Sequence, residues 1–115
     1  MLRIYHYRGA GTLLFVLIIL GWAGMAAGDQ LATGQSLYDA KCQICHGAKG
    51  RGDGPAAAAL NPKPRDFTNP AFWQNNADEK IKHTVTTGKG VMPAFNLDGD
   101  EIKALADYMR HSFKK

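Results

Sequence analysis

Cysteine is nearly absent from this chain. Of 115 residues, only Cys42 and Cys45 are cysteine. Neither lies near the end of the N-terminal apolar run, which excludes a lipid-modified N-terminal cysteine. Histidine is sparse too, with four, and His6 precedes that run. A closed zinc site takes four ligands at characteristic spacing, so these few histidines would have to complete one. Nothing visible supplies the βαβ setting that a thioredoxin-like dithiol wants. A strong excess of charge is also lacking. The net charge is +4, and Arg3 and Arg8 belong to the leader described below. The remaining 12 basic and 10 acidic side chains nearly balance, which lends no support to a nucleic-acid role. Large apolar residues are few beyond residue 28, where more than a third of the apolar class is alanine. A domain this small and thinly cored often needs a staple or a metal.

What the chain does contain is Cys42-Gln43-Ile44-Cys45-His46. This is the C-x-x-C-H pattern of c-type haem attachment. Two thiols at that spacing can each add to one vinyl group of a haem. The next residue, His46, is then carried to where a ring nitrogen can bind iron. A covalently held haem would also supply the missing apolar core. The competing uses of the two thiols are a Cys42–Cys45 disulfide, which export would permit, the dithiol and the zinc site.

Residues 1–28 read as a secretory signal peptide. Arg3 and Arg8 make a basic start, an apolar run follows from Leu13 to Leu20, and Gly24, Ala26, Ala27 and Gly28 are small. Cleavage after residue 26, 27 or 28 leaves 29–115 as one domain, exported to the periplasm. The rival is an uncleaved anchor, because the stretch from Gly9 to Gly28 approaches the roughly 20 residues a spanning helix needs. The membrane is a partner only in that case.

Along the domain, Leu31 to Cys45 is expected as the first helix, with Thr33 as its cap. Gly34 inside it points to close approach by another helix or to a frayed first turn. Gly47 to Pro64 carries four glycines and three prolines and reads as a loop around one side of the haem. A carbonyl there, with Pro55 as candidate, would accept from the second ring nitrogen of His46. Arg65 is placed against a haem propionate or in water. Phe67, Phe72 and Trp73 are aromatic core candidates, and the Trp73 indole N–H could instead reach a propionate. Asp78 to Thr87 reads as a helix opened by acids and closed by Gly88, with Ile81 and Val85 on its apolar edge. His83 beside Lys80 and Lys82 is read as solvated or near a propionate rather than as a distal iron ligand. In Gly88-Lys89-Gly90-Val91-Met92-Pro93, the proline biases Met92 toward extended backbone, able to present its thioether as a second axial ligand. The alternative is a gap-filling methionine. Asp98 to Phe113 is the clearest helix, with an Asp98/Glu101 capping box and a stripe of Ile102, Leu105, Met109 and Phe113. Tyr108 beside the stripe is expected to pack near Gly34.

These pieces together resemble the class I cytochrome c family. The carriers are Cys42-Gln43-Ile44-Cys45-His46, Met92-Pro93-Ala94-Phe95 and the helices beginning near Gly34 and Asp98. The segments Gly52-Asp53-Gly54-Pro55 and Asn61-Pro62-Lys63-Pro64-Arg65-Asp66-Phe67-Thr68 look like a bacterial single-haem branch. The resemblance implies an all-α fold. Its N- and C-terminal helices cross near a glycine and an aromatic residue, and loops with one or two further helices enclose the haem.

The function expected is a periplasmic single-haem electron carrier, with haem c held by Cys42 and Cys45 and iron ligated by His46 and Met92. Filled axial sites leave no position for a substrate, so no enzyme activity is expected. Its partners are redox proteins met transiently. Lys41 and Lys89 flank the two ligand segments and either rim an exposed haem edge or are solvated. Two rivals stand beside this: a haem sensor or enzyme with an open sixth site, and a membrane-tethered subunit of a redox complex.

Overall fold

The computed structural model describes residues 27–115. The basic start and apolar run of the leader lie outside the described residues. Among the described residues four α-helices carry the fold: α1 (residues 27–41), α2 (Gln43–His46), α3 (Ala77–Thr87) and α4 (Gly99–Phe113). Two short 3-10 turns, Ala57–Ala59 and Pro70–Trp73, punctuate the loops between α2 and α3. No strand occurs among the described residues, so the expected all-α class holds. No helix among them is long and apolar enough to cross a membrane.

The C-terminal helix forms for the reasons its sequence gives. Asp98 Oδ1 accepts from the Glu101 N–H, and Glu101 Oε2 accepts from the Asp98 N–H, both at 2.9 Å. This closes two of the unsatisfied donors of the first turn. Ile102, Leu105, Met109 and Phe113 are all buried, with Ala104 and Ala106 beside them. Leu105, at 1% exposure, is the kind of side chain whose burial contributes about 2 kcal/mol.

The first helix departs from expectation in two ways. It is already helical at residue 27, so Thr33 sits inside it, exposed, and does not cap it. Nor does it run unbroken to Cys45. It stops at Cys42, whose N–H still bonds the Tyr38 carbonyl at 2.9 Å, and the chain re-enters helix as α2. Gly34 is buried against α4, where an added β-carbon would overlap the Ala104 carbonyl oxygen and stand 2.7 Å from Tyr108 Cβ. Only a bare backbone lets the two helices cross this closely.

Helix α3 lies between these elements in sequence and packs on α4. Asn76 precedes it in the left-handed region, at φ 60°, and Gly88 closes it at φ 74°. Ala77, Ile81 and Val85 bury its inner edge. On the outside, Asp78 pairs with Arg110 of α4. Tyr38, Phe67, Trp73 and the buried faces of α3 and α4 form one continuous core.

Candidate functional site

Helix α2 is too short to hold itself. Its carbonyls are each met by an amide of the following loop. Gly47 donates to Gln43 at 2.8 Å, Ala56 to Ile44 at 3.0 Å, Gly54 to Cys45 at 3.1 Å and Gly52 to His46 at 2.8 Å. All four acceptors of the helix end are thereby satisfied. Gly54 must be glycine for this, since a β-carbon there would overlap the Ile44 carbonyl oxygen. The Tyr38 hydroxyl adds a bond from α1, donating to the Gly47 carbonyl at 2.8 Å. The glycine-rich loop thus clamps the Cys-x-x-Cys-His turn rather than merely connecting it.

Within that clamp, Cys42 and Cys45 are half-buried, unpaired thiols. Burial pushes the Cys42 thiol up to about 11, with Lys41 pulling the other way. Among the described residues no cluster of three or more His, Cys, Asp or Glu side chains could hold a metal ion. The zinc reading therefore finds no ligand set among the described residues, and Cys42 and Cys45 stand unpaired.

His46 is held on an edge and on a face. Its Nδ1 lies 3.1 Å from the Arg65 carbonyl oxygen. A carbonyl can only accept, so Nδ1 carries the proton and Nε2 keeps its lone pair. Its ring stacks on Phe67, with centroids 4.5 Å apart and planes 20° from parallel. Burial lowers the pKa of His46, and the Arg65 carbonyl opposes this by favouring the protonated ring. A neutral imidazole with one free ring nitrogen is the form in which histidine binds metals.

Two expectations about the surroundings are corrected. The acceptor for His46 is the carbonyl of Arg65, not that of Pro55, which is exposed in the loop. The Trp73 indole N–H is not available to a propionate. It donates to the Phe67 carbonyl at 2.7 Å, and the ring is core. The Arg65 guanidinium is exposed, so this residue serves His46 through its backbone.

Met92 closes a tight turn. Lys89 and Met92 exchange both backbone bonds at 3.0 Å, and Gly90 at φ 58° permits the reversal. The Phe95 N–H then bonds the Val85 carbonyl at 2.8 Å, fastening this segment to the end of α3. Lys41 Nζ lies 5.9 Å from the Phe95 ring centroid, which sets the segment beside the Cys42 end of α1. Cys42, Met92, Phe95 and Leu97 are half-buried and pack on the same core. Among the described residues Ile44 and Val91, one in each segment, are the large apolar side chains left exposed, at 60% and 58%. His83 is exposed on α3, as its lysine neighbours suggested. Two surface hollows are found among the described residues, one of about 350 Å³ beside Ala27 and Arg110 and one of about 310 Å³ bordering the Met92 segment at Thr86, Phe95 and Leu97. Neither gathers the donors found at Cys42, Cys45 and His46.

The residues present fit a covalently attached haem. Two free thiols stand one helical turn apart, the adjacent imidazole is neutral with Nε2 uncommitted, and a soft thioether comes from a second segment against the same apolar core. Sequence reasoning missed the Arg65 carbonyl and the stacking of Phe67. The residue pattern places Phe67 in the core, and nothing in it ties the ring to His46.

Known proteins resemble this chain along most of its length. Residues 29–109 match the family described as cytochrome C oxidase, cbb3-type, subunit III. Cytochrome c6 of Gloeothece citriformis (strain PCC 7424) is 32% identical over 108 residues, covering 90% of this chain and 93% of that protein. Cytochrome c6 of Tetradesmus obliquus is 35% identical over 81 residues, covering 69% of this chain and 86% of the relative. The cbb3-type cytochrome c oxidase subunit CcoP of Azospirillum sp. (strain B510) is 35% identical over 101 residues, or 84% of this chain but only 33% of that longer subunit. No solved structure matches at comparable significance.

Proposed function

From the premise that this chain belongs to the single-haem class I c-type cytochromes, which carry covalently attached haem c, we propose that it is a periplasmic electron carrier with His46 and Met92 as axial ligands. Cys42 and Cys45 hold the haem through thioethers. When bound, haem supplies a one-electron ferric/ferrous couple, and the ligand pair and its surroundings help tune its potential. The chain's own work is to orient and shield. The Arg65 carbonyl keeps the proton on Nδ1, which would leave the Nε2 lone pair for iron. The Lys89–Met92 turn presents the thioether. The exposed Arg65 guanidinium, which forms no ion pair among the described residues, is offered to a propionate. The signal peptide, residues 1–28, directs export and is removed after residue 26, 27 or 28.

One observation supports this reading above the rest: a histidine in a fixed tautomer, with one nitrogen committed, directly follows two unpaired half-buried thiols. Both axial positions filled leaves none for a substrate, so the protein carries electrons and does not turn over a substrate. Encounters with redox partners are small and short-lived.

The test is an absorption spectrum of the exported protein, oxidised and reduced, beside Met92→Ala. A far-red methionine-to-iron band present in the parent and lost in the variant is the expected result. A band that survives the substitution rules out Met92. A high-spin ferric parent rules out the carrier and favours an open sixth site. The similarity to the oxidase subunit supports a second reading, a domain tethered to a membrane redox complex. The N-terminal sequence of the mature protein separates the two, since only a tethered form retains the leader.

A further inference from the structure

We infer that Phe67 is a positioning residue for His46, and that Trp73 holds it in place, so that the strap of residues 65–67 sets the plane of the imidazole as well as its proton. This rests on His46 being the iron ligand proposed above. A single N–H···O bond fixes one nitrogen but lets the ring turn about the bond axis. A nearly parallel ring 4.5 Å away on the face of His46 opposes that rotation. Arg65 supplies the edge contact and Phe67 the face contact, two residues apart in one short strap of chain.

The strap is itself pinned on both sides. The Phe67 N–H donates to the Gly50 carbonyl at 2.6 Å, in the loop that clamps α2. The Phe67 carbonyl accepts from Trp73 Nε1 at 2.7 Å. Between Arg65 and Phe67, Asp66 Oδ1 accepts from the Thr68 N–H at 2.8 Å and from its hydroxyl at 2.7 Å, which stiffens the turn. Trp73 in turn is buried, meets Phe72 edge-on at 4.9 Å, and lies under the Arg110 guanidinium at 5.7 Å. The indole N–H therefore sits where it can hold the strap against the imidazole.

The orientation of an axial imidazole is read from the haem methyl resonances of the oxidised holoprotein, whose order and spread follow the direction of the ring plane. Exchange of the His46 Nδ1–H with solvent reports the edge contact separately. Phe67→Leu keeps apolar bulk but removes the parallel ring. It should reorder the methyl resonances and speed N–H exchange by less than the about fivefold that outright loss of one ordinary hydrogen bond gives, because the Arg65 carbonyl is still there to accept. Trp73→Phe keeps an aromatic ring but deletes the donor, and should move both readouts the same way by a smaller amount. Ile81→Val, a buried change on α3, should lower the melting temperature and leave both readouts unchanged. If Phe67→Leu retains the parent methyl order and exchange rate, the inference is overturned. Should Phe67→Leu fail to fold, Trp73→Phe decides by the same two readouts. A parent protein whose His46 ring protons show no shift from the iron overturns the ligand assignment itself, and with it this inference.

Discussion

Gly34 of α1 and Ala104 of α4 mark a backbone-to-backbone crossing: a β-carbon on Gly34 would overlap the Ala104 carbonyl oxygen. Two effects of Gly34→Ala oppose each other. Alanine favours helix over glycine by about 1 kcal/mol. Forcing extra volume into a packed contact costs about 1–3 kcal/mol, and here the obstacle is backbone, which cannot turn aside. The variant is expected to be less stable by about 1–2 kcal/mol in urea unfolding of the holoprotein. A stabilised variant would mean that the helices do not approach as described.

Tyr38 is fully buried and spends its hydroxyl on the Gly47 carbonyl. Tyr38→Phe keeps the ring and leaves that carbonyl without its donor. The expected loss is about 1–2 kcal/mol, measured as a lower urea midpoint at unchanged slope. The same substitution removes the tie between α1 and the loop over α2, so limited proteolysis should cut near Gly47 more readily.

The Tyr38 phenol also sets an alkaline limit. Burial, the largest cause, raises it well above its ordinary 10, and does so whether or not the Cys42 sulfur is free to carry charge. Below pH 10 the phenol is protonated in both the folded and unfolded chain, and its contribution to stability is fully present. As pH rises further, the unfolded chain releases the proton first, and that contribution is progressively lost. Unfolding measured across this range should show stability falling with pH in the parent, and falling less in Tyr38→Phe.

The Asp78–Arg110 pair should matter little. Its side chains are 59% and 38% exposed, and pairs of this kind contribute about 0–1 kcal/mol. Asp78→Asn is expected to shift stability by less than about 1 kcal/mol, with the small effect vanishing at high salt. A loss several times larger would show that the pair is coupled to the core through Trp73.

Much of this was readable from the residues because the signals are local. The Asp98/Glu101 box and the Ile102–Phe113 stripe sit within one helix, and both formed as written. The Gly34 anomaly pointed to a crossing because glycine inside a helix needs a reason, and Tyr108 lay at the right place to give one. The boundaries of α1 were less legible. Thr33 looked like a cap, yet the helix continues on its N-terminal side, where polar and small residues carry no periodic signal. The surroundings of His46 were least legible. Its acceptor lies 19 residues away, through a backbone carbonyl, and a carbonyl has no residue identity to read. Pro55 and Arg65 were alike in that respect, and loop geometry alone chose between them. The Trp73 donor likewise had a partner, as a buried indole requires, but the partner was the Phe67 backbone.

The most direct test concerns the thiols of Cys42 and Cys45. The full chain is expressed in a host that matures c-type haem, and the exported protein is weighed intact under denaturing conditions, beside a variant carrying Cys42→Ser and Cys45→Ser. The account predicts a coloured parent heavier than its polypeptide by one haem, and a variant at the polypeptide mass. A folded, colourless parent at the mass of polypeptide alone would contradict it.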